Sequence, residues 1–169
     1  MSILQIRTIG DPVLRREAEP VESIDEALVR LAESMVETMH AYRGIGLAAP
    51  QVGASIALVI VPSSEDLDDP RPVAVVNPVL RDLAGKEVGE EGCLSVPGFS
   101  ETVTREKSGV LTGLDLEGRE LCIEADGFQA RVFQHELDHL RGVLYVDRLS
   151  PLKREFLLKR IEREREEEG

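Results

Sequence analysis

The chain has 169 residues, 42% of them hydrophobic and 31% charged; that length amounts to one domain, able to bury roughly 70% of its unfolded surface, and no apolar run approaches the ~18 residues of a membrane span. Twenty Lys and Arg against thirty-two Asp and Glu give a formal net charge of −12, a field that repels phosphate backbones and excludes general nucleic-acid binding, DNA included. Two cysteines, Cys93 and Cys122, allow at most one disulfide, and the start Met-Ser-Ile-Leu-Gln-Ile-Arg lacks the apolar stretch of a signal peptide, so a reducing cytoplasm is the expected compartment.

In chain order, the first predicted helix runs from Ile24 to Tyr42. Ile24, Leu28, Leu31, Met35, Met39 and Tyr42 recur three or four apart, and Ser23 with Glu26 forms a capping box. The stretch Arg43-Gly44-Ile45-Gly46-Leu47-Ala48-Ala49-Pro50-Gln51-Val52-Gly53 reads as loop or irregular strand. Ile56 to Val61, Val73 to Leu80, Gly109 to Asp115 and Arg119 to Glu124 read as strands joined by short turns, hence mostly antiparallel sheet. Between them, Glu91 to Gly98 carries the glycines and proline of a rigid loop. A second helix is expected from Gly127 to Leu140, with Asp126 as N-cap and Gly142 as terminator. A third starts with Ser150 as N-cap and Pro151 at the first helical position, burying Phe156, Leu157 and Ile161 before a charged, solvated end. The predicted organisation is a catalytic unit over residues 1–150 followed by a C-terminal helix over 151–169.

Chemistry concentrates on the second helix. His135-Glu136-Leu137-Asp138-His139 has the H-E-x-x-H spacing, which on a helix stands both imidazoles on one face, about 5–6 Å apart at Cβ. Phe128 and Val132 continue that face, so the histidines should point inward and reach one divalent metal. Glu136, turned about 100° away, suits a general base better than a ligand. The plain alternative is two satisfied core histidines beside a surface glutamate. A catalytic site needs a third protein ligand, yet no histidine follows His139, and His40 belongs to the packing of the first helix. Cys93 remains, although a lone cysteine is more often an inert buried thiol; Cys122 alternates within a strand and reads as filler.

The segments Gly44-Ile45-Gly46-Leu47-Ala48-Ala49-Pro50-Gln51-Val52-Gly53, Glu91-Gly92-Cys93-Leu94-Ser95-Val96-Pro97 and Gln134-His135-Glu136-Leu137-Asp138-His139-Leu140, in this order and spacing, closely resemble the three signature motifs of the peptide deformylases. The likeness extends to the opening Ile9-Gly10-Asp11-Pro12-Val13-Leu14 and the closing Gly142-Val143-Leu144-Tyr145-Val146-Asp147. It implies an α+β fold: antiparallel sheets packed around a central helix carrying the H-E-x-x-H motif, with N-terminal and C-terminal helices.

It also implies an activity, removal of the formyl group from the N-terminal formylmethionine of nascent polypeptides with release of formate. By the resemblance, Cys93, His135 and His139 are the metal ligands, and a water activated on the metal attacks the formyl carbon. Glu136 is then the general acid/base, while the Gln51 side-chain amide and the Leu94 backbone N–H stabilise the oxyanion. Gly44, Ile45 and Gly46 line the substrate channel, and Glu91, Phe128, Arg131 and Val132 are counted with them as substrate-binding residues. Glu91 and Arg105 are expected to form an ion pair bracing the Cys93 segment. The cofactor implied is one divalent ion, Fe²⁺ in the cell, with Zn²⁺, Ni²⁺ or Co²⁺ able to substitute. The implied partners are formylmethionyl nascent chains and, transiently, the ribosome. Six Lys or Arg against six Asp or Glu after Ser150 weigh against that second contact. A bacterial or phage origin and a cytoplasmic location without membrane contact complete the expectation. Two competing readings are a metallopeptidase, which would need a third His or Glu ligand after the helix, and a catalytically silent metal-stabilised module, which would have no use for Glu136 or Gln51.

Overall fold

A computed structural model describes residues 2–168. They form α1 (Glu26–Ala41), β1 (Leu47–Ala48), β2 (Leu58–Pro62), β3 (Pro72–Ala84), β4 (Glu87–Cys93), β5 (Val96–Arg105), β6 (Ser108–Leu114), β7 (Glu120–Asp126), α2 (Phe128–His139) and α3 (Pro151–Glu168). The strands make a five-stranded antiparallel sheet in the order β1-β2-β3-β6-β7 and a separate antiparallel pair, β4-β5. The expected mixture of helices and antiparallel sheet is therefore present, and among the described residues no helix is long and apolar enough to cross a membrane.

The run Leu58-Val59-Ile60-Val61 explains the layering. Successive side chains of a strand point to opposite faces. Leu58 and Ile60 accordingly enter one core with Met35 and Met39 of α1, while Val59 and Val61 enter another with Ala130, Phe133 and Leu140 in and beside α2. A strand covered by a helix on each face needs an unbroken apolar run, which is what β2 carries. The carboxamide of Gln129 at the start of α2 donates to Pro62 O at 3.0 Å, fixing the helix to the end of β2. A third core gathers Val96 and Val103 of β5, Leu144 to Val146, and Leu157 and Ile161 of α3.

Several local expectations need correction. Asp25, not Ser23, caps α1, its carboxylate accepting from Leu28 N at 2.9 Å. Asp126 does not cap α2; it ends β7, and Gly127 with φ +70° turns the chain into the helix without a side-chain cap. The composition of the Glu91–Gly98 segment suggests loop, but cross-strand pairing wins: β4 and β5 run in register from Glu87↔Arg105 to Gly92↔Ser100, leaving only Leu94 and Ser95 as the turn. Phe156 is 66% exposed, one residue and so about 100° around the helix from the buried Leu157 and Ile161 face. His40 is exposed rather than packed.

Past α2, Gly142 has φ +74°, and an added Cβ would stand 2.5 Å from Arg15 O. Gly142→Ala combines backbone strain with that collision, so it should cost at least about 1–3 kcal/mol. A denaturant or thermal melt should show the loss.

Candidate metal centre

Three elements converge on one point. Cys93 ends β4, and His135 and His139 stand one turn apart on α2, so that one sulfur and two ring nitrogens lie within 4.8 Å of one another. Cys93 Sγ is 3.5 Å from His139 Nε2. His135 and His139 are 8% and 1% exposed, and their rings meet edge to face with centroids 5.1 Å apart. His135 Nδ1 lies 2.8 Å from Glu91 Oε1; facing a carboxylate, that nitrogen is the donor, which makes Nε2 the ring atom available to a cation. His139 Nδ1 and Glu136 Oε1 are buried without a hydrogen-bond partner among the described residues. Convergent soft and borderline donors beside an unpartnered carboxylate oxygen are a poor hydrophobic core and a good cation site. The residues present fit a divalent ion with an open position.

The electrostatics follow from burial. Burial raises the Glu136 carboxyl, against the pull of the nearby His135, to about 7. Burial disfavours charge on His135 too, but the hydrogen bonds to Cys93 and Glu91 outweigh it and hold the ring well above the ordinary histidine value. Burial and the positive charges of His135 and Arg105 push His139 well below that value, keeping it neutral. At Glu91 burial works upward, and the hydrogen bonds from Arg105 and His135 overcome it, holding the carboxyl well below the usual carboxylate range. Surroundings that favour a proton between His135 and its neighbours also favour a metal cation there.

Around this point lies a cavity of about 760 Å³ reached from solvent, with Gln51, Leu94, Phe128, Val132 and Glu136 among its walls. Gln51 is 2% exposed. Its Oε1 accepts from Ala48 N at 2.9 Å, and its Nε2 faces Ser95 Oγ at 3.1 Å and Cys93 Sγ at 3.6 Å. Gly44, Ile45 and Gly46 line the same cavity before β1. The glycines there have a packing reason: a Cβ on Gly46 would stand 2.6 Å from Glu136 Oε2, and one on Gly44 2.9 Å from Leu94 Cδ1. Phe128 is 40% exposed and Val132 7%, so the pocket wall grades from an open rim inward.

Glu91 and Arg131 also border the cavity, but their charged ends are engaged with protein. Glu91 accepts from Arg105 Nε at 2.8 Å, Arg105 NH2 at 2.9 Å and Arg131 NH1 at 2.7 Å, besides His135. Arg105 also donates to Asp138 Oδ2 at 2.6 Å, and Asp138 pairs in turn with Arg148 at 2.7 Å. Asp138, Arg148, Ser95 and Tyr145, the last stacked 6.2 Å from His135, were not legible as site residues. Asp138 has a usable signal, a carboxylate one turn from His135 on the helix that carries both histidines; Arg148 has none.

A family model described as polypeptide deformylase matches residues 3–155. The chain belongs to the polypeptide deformylase family. A peptide deformylase of Thermodesulfovibrio yellowstonii is 44% identical over 161 residues, covering 95% of this chain and 98% of that one. The crystal structure of peptide deformylase from Ehrlichia chaffeensis in complex with actinonin superposes with a TM-score of 0.90 at 37% identity, over 97% of this chain and 98% of that one. The Met-Ala-Ser-bound class I type b peptide deformylase from Acinetobacter baumannii gives a TM-score of 0.81 at 36% identity, over 88% and 100%. As a deformylase, the enzyme removes the N-formyl group from nascent peptides. The family is metal-dependent, and Cys93, His135 and His139 are the donor set that this chain offers.

Two substitutions probe this arrangement. Gly46→Ala should shift the Glu136 carboxylate and lower deformylase activity by about 10²-fold, the cost of a roughly 1 Å misplacement, while the far-ultraviolet circular dichroism stays unchanged. Arg105→Ala leaves Glu91 and Asp138 buried with fewer partners and should cost about 3–5 kcal/mol of unfolding free energy, read as a lower denaturant midpoint.

Proposed function

We propose that Cys93, His135 and His139 hold the divalent metal and that Glu136, Gln51 and the Leu94 main chain carry the deformylation. The observation that carries this reading is the convergence of the three donors beside a buried carboxylate with an unpartnered oxygen. A divalent ion bound there would supply Lewis acidity toward the formyl carbonyl and toward water.

Glu136 takes the proton from the attacking water and returns it to the departing amine nitrogen. A carboxyl near 7 is matched to exchanging protons in both directions close to neutrality. Negative charge builds on the formyl oxygen as the water adds, before the amine leaves. The Gln51 carboxamide, anchored through its oxygen to Ala48 N so that its NH2 group faces the cluster, donates to that oxygen, as does Leu94 N–H at the tip of the β4-β5 hairpin. The main chain of Gly44, Ile45 and Gly46 aligns the peptide as an added strand. Leu94, Phe128 and Val132 receive the methionine side chain. Burial around the cluster excludes bulk water, strengthening each of these interactions.

Fe²⁺ is the ion assigned in the cell, on a thiolate and two imidazoles that would also accept Zn²⁺, Ni²⁺ or Co²⁺. The substrates are nascent chains beginning with formylmethionine; the tail's balanced charge supports no electrostatic attachment to ribosomal RNA.

Anaerobically purified protein loaded with Fe²⁺ should release formate from formyl-Met-Ala-Ser and leave the acetylated peptide intact. Glu136→Ala should abolish release, and Gln51→Ala should lower kcat by about 10²–10³-fold. Formate release from the Glu136→Ala protein equal to that of the parent would remove the assignment.

A further inference from the structure

We propose that Arg131 is a positioning residue for the metal centre: through Glu91 it sets the separation of Cys93 from His135. This rests on the reading of Cys93, His135 and His139 as metal donors, and it gives Arg131 a task other than contacting substrate.

Arg131 lies one helical turn before His135 on α2, and its side chain is 5% exposed. Three acceptors take its guanidinium: Glu91 Oε2 at 2.7 Å, Val103 O at 2.9 Å and Glu87 O at 2.8 Å. One planar fork thus ties α2 to both strands of the β4-β5 hairpin. Each end of the tie adjoins a metal donor. Glu91 stands two residues before Cys93 on β4, just ahead of the register shift between Gly92 and Cys93, and Arg131 stands four residues before His135 on the same face of the helix.

Glu91 is the joint between them. Its Oε1 receives His135 Nδ1 and Arg105 NH2, and its Oε2 receives Arg105 Nε and Arg131 NH1. Removing Arg131 frees Oε2 on the side facing α2 and lets the carboxylate turn about its Arg105 pair, carrying the His135 ring with it. The strand makes room for the guanidinium: a Cβ on Gly89 would stand 3.0 Å from Arg131 Cζ and 3.1 Å from Nε and NH2. Glycine within a strand weakens it, and close approach of another group is one reason for a glycine there. If Arg131 merely filled space, an apolar side chain would do so without desolvating a charge.

Co²⁺ serves as the probe, since its visible absorption reports donor geometry and its loss to a chelator reports retention. In the Co²⁺-loaded protein, Arg131→Met should speed release to a chelator by about 10–100-fold, the usual scale for losing a group that orients a ligand, and should change the visible band. Arg131→Lys should fall between, keeping the charge but not all three contacts. Gly89→Ala, which crowds the guanidinium from the strand side, should shift release in the same direction and serves if Arg131→Met does not fold. Wild-type release rate and wild-type band in Arg131→Met, or in Gly89→Ala where the first variant is unfolded, would overturn the proposal, even with a lowered melting temperature. That result would leave the metal-site reading standing. Parent protein whose Co²⁺ spectrum does not respond to Cys93→Ser would remove both.

Discussion

A carboxylate that is 6% exposed overall and surrounded by two guanidiniums and an imidazole is stable only while its donors stay where they are. Glu91 occupies that position, and most of the site is arranged around it. Desolvating the charge costs several kcal/mol, recovered only through good geometry on every lone pair. That requirement fixes Arg105 across the hairpin, Arg131 and His135 on α2, and through Arg105 also Asp138 and its surface partner Arg148. The cysteine and histidines of the cluster inherit this rigidity. Cys93 is two residues along the strand from Glu91, and His135 is bonded to it directly.

The five-stranded sheet supplies the other half of the support. With Val59, Val61 and Val75 packed against Phe133 and Ala130, α2 is held by apolar contacts on its sheet side and by ionic contacts on its hairpin side. A helix seated between these two surfaces can present His135, Glu136 and His139 toward a cavity without freedom to rotate. Gly44 and Gly46 then let the preceding segment come close enough for its main chain to form the opposite wall. The charge of −12 has little part in this; the charges that matter are buried ones in near balance.

Short-range patterns were legible where one periodicity dominated. Leu28, Met35 and Met39 of the α1 stripe, the apolar β2 run and the Ser150-Pro151 start of α3 lie where the residues suggest, whereas Tyr42 falls beyond α1 and is 48% exposed. Misreadings fall where the chemistry of a few residues competes with strand pairing or with the shape of the surface an element packs on. Glu91 to Gly98 has the composition of a loop, yet the ladder with residues 96–105 makes most of it strand. Asp126 has the chemistry of a cap, yet the β6-β7 ladder claims it through Ser108. Phe156 is apolar and exposed because the face α3 presents to β5 and the 145–148 turn is narrow.

From residue order alone come the H-E-x-x-H pair, the candidate donor Cys93, the general-base position of Glu136 and the family likeness, because each depends on spacings within a helix turn or on the order of a few short motifs. What folding adds is the meeting of those motifs: Cys93 with His139 at 3.5 Å across forty-six residues, and Glu91 with Arg131 at 2.7 Å across forty. A buried charge cannot be read as bridging or binding from sequence, since that depends on which donors the fold brings within about 3 Å of it. Residue order counts Glu91 and Arg131 among the substrate-binding residues and pairs Glu91 with Arg105; in three dimensions both border the cavity, and the charge of Glu91 is shared between Arg105 and Arg131.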